Sequence, residues 1–102
     1  MGSYKLTKDA EVDLEQIVRY TLTEWGERQA KQYIDKLQEC FQRIADKQVT
    51  AKTFSERFPQ VFVTRCDHHY VFYLHPKRKP PRIFAILHER MDLLSRLKAR
   101  LE

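Results

Sequence analysis

Six apolar residues, Ala30, Tyr33, Ile34, Leu37, Phe41 and Ile44, recur at three- and four-residue spacing. That is the period of one face of an α-helix. A stripe this long must be buried against something. Upstream, Leu14, Ile17, Val18 and Trp25 repeat in the same way, leaving Glu11, Asp13, Glu15 and Arg19 for water. Thr7 can cap this first helix, and Asp9 and Glu11 stand in its first turn, where the helix dipole favours anions. The helix is expected to end at about residue 24. Gly26, directly after Trp25, supplies the capping or left-handed conformation that stops one helix and lets the next begin. The first half therefore reads as a short strand at residues 4–6 and a helical hairpin, with Trp25 and Tyr33 in its core.

The period changes in the second half. From residue 46 to 60 it fails altogether, with Phe54 and Phe58 as the apolar anchors of a loop that holds Pro59. Residues 61–66, 69–75 and 82–87 are then rich in Val, Ile, Phe and Tyr and read as strands. Between the last two, Pro76-Lys77-Arg78-Lys79-Pro80-Pro81 is too stiff and proline-rich for a central ladder, and fits a solvated hairpin tip. Asp92 can cap a final helix whose Leu93, Leu94, Leu97 and Leu101 lie on one side, with Arg96, Lys98 and Arg100 elsewhere. That leucine stripe needs cover, from its own sheet or from a partner helix. The predicted fold is α+β: a helical hairpin packed on a three- to four-stranded antiparallel sheet, with the N-terminal strand and a short C-terminal helix, in one domain over residues 1–102.

Charge is distributed unevenly. The net charge is +5, but residues 1–50 hold 8 Lys and Arg against 9 Asp and Glu, whereas residues 51–102 hold 11 against 5. A basic half attracts anionic partners, and nucleic acid and an acidic protein segment satisfy that equally. Cys40 and Cys66 form no metal box or disulfide scaffold by their spacing, and are expected to be reduced, buried thiols. The opening Met1-Gly2-Ser3-Tyr4-Lys5-Leu6 carries no apolar signal region, and no run approaches membrane-spanning length. The bacterial cytoplasm is the expected compartment.

With that element order, YTLTEWG at residues 20–26, CDHHYVFY at 66–73 and AILHERMD at 85–92 resemble the ParE branch of the RelE/ParE toxin superfamily. The resemblance spans nearly the whole chain. It implies a toxin of a type II toxin-antitoxin pair that inhibits DNA gyrase, through its A subunit, and so blocks replication without chemistry of its own. It also implies a ParD-like antitoxin that binds the toxin as a hetero-oligomer through an acidic or amphipathic C-terminal segment. No cofactor or metal and no direct DNA binding by the toxin alone are expected.

Under this reading, recognition of gyrase or antitoxin falls to Arg65, His88, Glu89, Arg90, Met91, Asp92, Leu94, Arg96 and Leu97, although Met91 is better suited to filling core than to an adaptable contact. The alternative is a RelE-like ribosome-dependent mRNA endoribonuclease, which needs a base, an acid and cations on the developing phosphorane. Arg65, His68 or His69, Arg82 and His88 are its candidates. Strand alternation speaks against them as one site. His69 and His75 share a face with Val71 and Tyr73, while His68 falls on the other with Tyr70, Phe72 and Leu74. His88 is expected on the face of Arg82, Phe84 and Ile86, opposite Ile83, Ala85 and Leu87. Zinc is not expected, because adjacent strand residues point apart.

Overall fold

The structure, a computed structural model, describes residues 3–101. It begins with β1 (Lys5–Leu6), α1 (Lys8–Trp25) and α2 (Glu27–Ala45), continues with β2 (Lys52–Thr53), β3 (Phe62–Cys66), β4 (His69–Leu74) and β5 (Arg82–His88), and ends in α3 (Leu93–Leu101). The α+β class is as expected, but the sheet has five strands in the order β1-β5-β4-β3-β2. It is also mixed, since β1 pairs parallel to β5. The added strand β2 lies in the segment read as loop, where two residues pair with β3 and show no period of their own.

Local chemistry sets the helix ends as the sequence predicts. The Thr7 hydroxyl accepts the Ala10 N–H, and Gly26 at φ +87° ends α1 and opens α2. A Cβ at Gly26 would meet nothing within 4 Å, so its backbone angle alone calls for glycine.

Two cores form, one on each face of the sheet. The helical hairpin covers one, with Ile17, Leu37, Phe41 and Ile44 against Val71, Tyr73, Ile83 and Ile86. On the other face, α3 lays Leu97 on Val63, Phe72, Phe84, Ala85 and Leu87, flanked by Leu93 and Leu101 and by the loop anchors Phe54 and Phe58. Leu93, Leu97 and Leu101 of the leucine stripe are therefore covered by the chain's own sheet, and Leu94 is left exposed.

A bulge decides which residues of β5 face which core. Phe72 pairs with Ala85 but Tyr73 with Ile83, leaving Phe84 as the extra residue. Uninterrupted alternation would put Ile86 opposite Ile83. With the bulge, Ile83 and Ile86 both join the helical-hairpin core, while Phe84, Ala85 and Leu87 join the other. The expected grouping of Ile86 and His88 with Phe84 is corrected accordingly.

Two further expectations fail for structural reasons. Asp13, read as solvated, is buried: α1 crosses β5 beyond the end of β1, and there its carboxylate accepts the Ile86 N–H at 2.9 Å. Arg100 meets the same carboxylate twice at 2.6 Å and donates to the Phe84 carbonyl at 2.9 Å. This pair takes the place of a neighbouring strand. Trp25, read as core, is 62% exposed, because residues 22–29, at the tip of the hairpin, are all exposed and nothing packs over them.

Cys40 and Cys66 are buried as expected, but they are joined in a disulfide rather than reduced. Packing of α2 on β3 brings residues 26 apart in sequence to a Cα–Cα distance of 6.4 Å, within disulfide reach.

Candidate recognition site

At the far end of β3, β4 and β5 from the Pro76 turn, the polar residues converge. A two-residue turn, Asp67 and His68, joins β3 to β4, with Asp67 at φ +58°, a conformation that Asp tolerates better than most residues. His68 therefore belongs to a turn rather than a strand, and strand alternation does not fix its direction. Antiparallel register then sets His88 opposite His69. The three rings meet: His69 and His88 edge to face at 5.1 Å between centroids, His68 and His88 stacked at 6.4 Å. His68, His69 and His88 do form one cluster, contrary to the expectation from alternation, whereas His75 follows the opposite end of β4.

Each member is held by a specific partner. Glu89 takes Arg65 Nη2 at 2.9 Å and His68 Nδ1 at 3.3 Å, and its N–H donates to the His68 carbonyl at 2.9 Å. The bond from His68 holds the Glu89 carboxyl below the usual range; desolvation opposes it, and the charges of Arg65, His68 and His88 add to the lowering. Arg65 also donates to the Asp67 carbonyl and lies 5.7 Å from the Tyr70 ring centroid. Tyr33 is half-buried rather than fully in the core. Its hydroxyl accepts the His68 N–H at 3.3 Å and is hydrogen-bonded to His69 Nδ1 at 2.6 Å. His88 Nδ1 accepts the Arg90 N–H at 3.1 Å.

Burial, helped by the neighbouring His88 and His68, pushes His69 down to about 4 from 6.5. The sign follows directly. The native ring resists a proton that the unfolded chain accepts, so this contribution to stability is intact above pH 6.5 and is lost as pH falls toward 4. The gap corresponds to at most about 3 kcal/mol, and to on the order of 2 once residual solvent screening is counted. Urea unfolding at about pH 7.5 and about pH 4.5 should show that loss in the native sequence and a much smaller one in His69→Gln. Equal losses in the two proteins would refute it. Glu89 and Asp92 contribute little in this window, because the stability from a lowered carboxyl is lost only as pH falls below its ordinary value, 4.5 and 3.8 for these two.

The remaining predicted residues divide clearly. Asp92 caps α3, accepting the Ser95 N–H and hydroxyl at 3.3 and 2.8 Å, which also lowers its carboxyl. Leu97 is fully buried and belongs to the core, because its face of α3 is the one on the sheet. Met91 and Leu94, by contrast, are 40% and 44% exposed, with Arg90 and Arg96 exposed beside them. Met91 is thus surface rather than core filler. Arg82 lies at the opposite end of β5, six residues and roughly 20 Å from His88, so the proposed nuclease set is not assembled. The exposed apolar residues Tyr20, Leu22 and Trp25 were missed as surface, since helical spacing alone cannot show that α1 outruns its sheet. Among the described residues, no three His, Cys, Asp or Glu side chains are placed to hold a metal ion.

The geometry is that of a basic, partly apolar rim on a small α+β domain, and the chain belongs to a family of bacterial toxins. Residues 4–93 match the ParE toxin family of type II toxin-antitoxin systems, parDE. Toxin ParE of Escherichia coli is 48% identical over 102 residues, covering 100% of this chain and 99% of the relative. Toxin ParE1 of Mycobacterium tuberculosis is 30% identical over 90 residues, covering 88% and 92%. The fold matches a chain of the chromosomal ParDE system from P. aeruginosa with a TM-score of 0.72 at 21% identity, covering 86% of this chain and 96% of that one. The chain is accordingly a ParE toxin of a parDE type II toxin-antitoxin system.

Proposed function

We propose that this toxin inhibits DNA gyrase through its A subunit and blocks replication, and that a ParD-like antitoxin neutralises it by forming a hetero-oligomer. The observation that carries the reading is family membership along the chain. The site agrees with binding rather than cutting: Glu89 is committed to Arg65 and His68, Tyr33 occupies His69 Nδ1, and Arg82 is remote. Met91 and Leu94 offer adaptable apolar contact, and Arg90 and Arg96 select an acidic or amphipathic partner. His88, Glu89 and Asp92 hold this rim in place, and Leu97 anchors it from below. The toxin works in the bacterial cytoplasm without a cofactor and meets DNA through gyrase. Among the described residues no helix is long and apolar enough to cross a membrane.

Purified toxin added to gyrase, ATP and relaxed plasmid should abolish supercoiling and trap cleaved DNA. The double variant Met91→Asp/Arg96→Glu should weaken this by about tenfold or more if the rim meets gyrase. Unimpaired supercoiling with excess toxin would refute gyrase as the target. Codon-positioned cuts in messages from a cell-free translation mixture would instead establish the nuclease.

A further inference from the structure

The end of the sheet away from the rim carries charge of one sign. Residues 68–88 contain no Asp or Glu, and the turn between β4 and β5 exposes Lys77, Arg78 and Lys79. β1 brings Lys5 beside Arg82 in parallel register, on strands about 4.8 Å apart, and both residues are exposed. Among the described residues none of these five cations forms an ion pair.

Two features of this end cost stability without a compensating partner in the chain. Like charges side by side on neighbouring strands repel, as Lys5 and Arg82 must. The turn closes through the Lys79 N–H, which donates to the Pro76 carbonyl at 3.4 Å, and it holds Arg78 at φ +61° in its third position. That position calls for Gly or Asn, so an arginine there strains the backbone. Breaks in local rules concentrate where a ligand supplies the gain.

The form of the tip selects among anions. Prolines at 76, 80 and 81 stiffen it, and none of the exposed large apolar residues lies in it. A protein partner requires a packed apolar centre besides charge, whereas a phosphate backbone is held by charge and hydrogen bonds alone. The tip also lies roughly 20 Å along β5 from His88, so it stays free when the Met91–Leu94 rim is occupied.

We propose that Lys5, Lys77, Arg78, Lys79 and Arg82 receive the phosphate backbone of duplex DNA beside the enzyme on which the toxin sits. The proposal rests on the gyrase reading above and gives the toxin a second surface in that complex. At cytoplasmic salt so few charges bind duplex weakly, which leaves gyrase to set the location.

The probe is a short fluorescein-labelled duplex titrated with the full chain. At about 50 mM salt the toxin should bind two unrelated sequences equally well. Affinity should fall roughly 40- to 500-fold by about 200 mM, as roughly three to five phosphates are neutralised. Arg78→Gly should lower the salt slope by about one and raise the urea midpoint, since it removes a phosphate contact and the backbone strain together. A merely structural turn would gain the stability and lose no binding. Lys77→Glu/Lys79→Glu should weaken duplex binding by about tenfold or more and trap fewer cleaved complexes, while binding DNA-free gyrase as the unmodified toxin does. No duplex binding at about 50 mM, or binding that ignores these variants, would overturn the proposal. Loss of affinity for purified antitoxin with duplex binding intact would also overturn it, by placing the turn in a protein interface. Undiminished trapping by a variant that no longer binds duplex would overturn its role in the gyrase complex. A toxin that binds duplex through this turn but never binds gyrase would overturn the gyrase reading and leave the DNA surface standing.

Discussion

Replacing Asp13 with alanine is expected to destabilise the fold by about 3–5 kcal/mol, a large part of what a domain of this size has to lose. The change leaves the partly buried Arg100 guanidinium without its carboxylate and the Ile86 N–H without an acceptor. It also cuts the tie between α1, on one face of the sheet, and α3, on the other. Asp13→Asn should cost less, because the amide oxygen can still accept the Ile86 N–H. Asp13→Leu combined with Arg100→Met should recover much of the alanine loss, since buried ion pairs offset little more than their own desolvation. Urea unfolding at neutral pH measures all three. A loss below about 1 kcal/mol for Asp13→Ala would show that water replaces the pair without penalty.

The same pair shows where sequence reading stops. Asp13 stands among Glu11, Glu15 and Arg19, and its helical position gives no hint that an uncovered strand edge lies beside it; nor does Arg100, three residues after Leu97, announce a partner 87 positions away. The hairpin stripe from Ala30 to Ile44, the Thr7 and Asp92 caps and the Gly26 junction were legible because each depends on neighbours within four residues. The histidine cluster was not. It depends on the two-residue turn that removes His68 from strand alternation, and on a register that sets His88 against His69. The bulge at Phe84 misled the reading of β5 in the same way, because it is a property of two strands together. Met91, suited by its sequence to filling core, is exposed, and on α3 Leu94 is exposed whereas Leu97 is buried. Only the sheet beneath α3 tells these leucines apart.

Breaking the disulfide between Cys40 and Cys66 should lower stability by about 3–4 kcal/mol, the loop-closure entropy restored to an unfolded chain once a 26-residue link is opened. For a domain of about a hundred residues this lowers the unfolding temperature by roughly 10–20 °C. The bond ties α2 to the last residue of β3, and α2 also carries Tyr33, whose hydroxyl holds the His68 N–H and the His69 ring. Opening it should therefore loosen the histidine end of the sheet before the Pro76 end, where β1 and β5 are joined by backbone bonds such as Lys5 N–H to the Pro81 carbonyl. Urea unfolding with and without reductant, alongside Cys40→Ser/Cys66→Ser, gives the total loss, and amide exchange at residues 66–70 and 82–84 gives its distribution. Equal unfolding midpoints for the oxidised and reduced chains would show that packing of α2 already limits the unfolded ensemble as much as the bond does. Uniform loosening at both ends would show that the bond stabilises the whole fold rather than the site that Tyr33 helps to build.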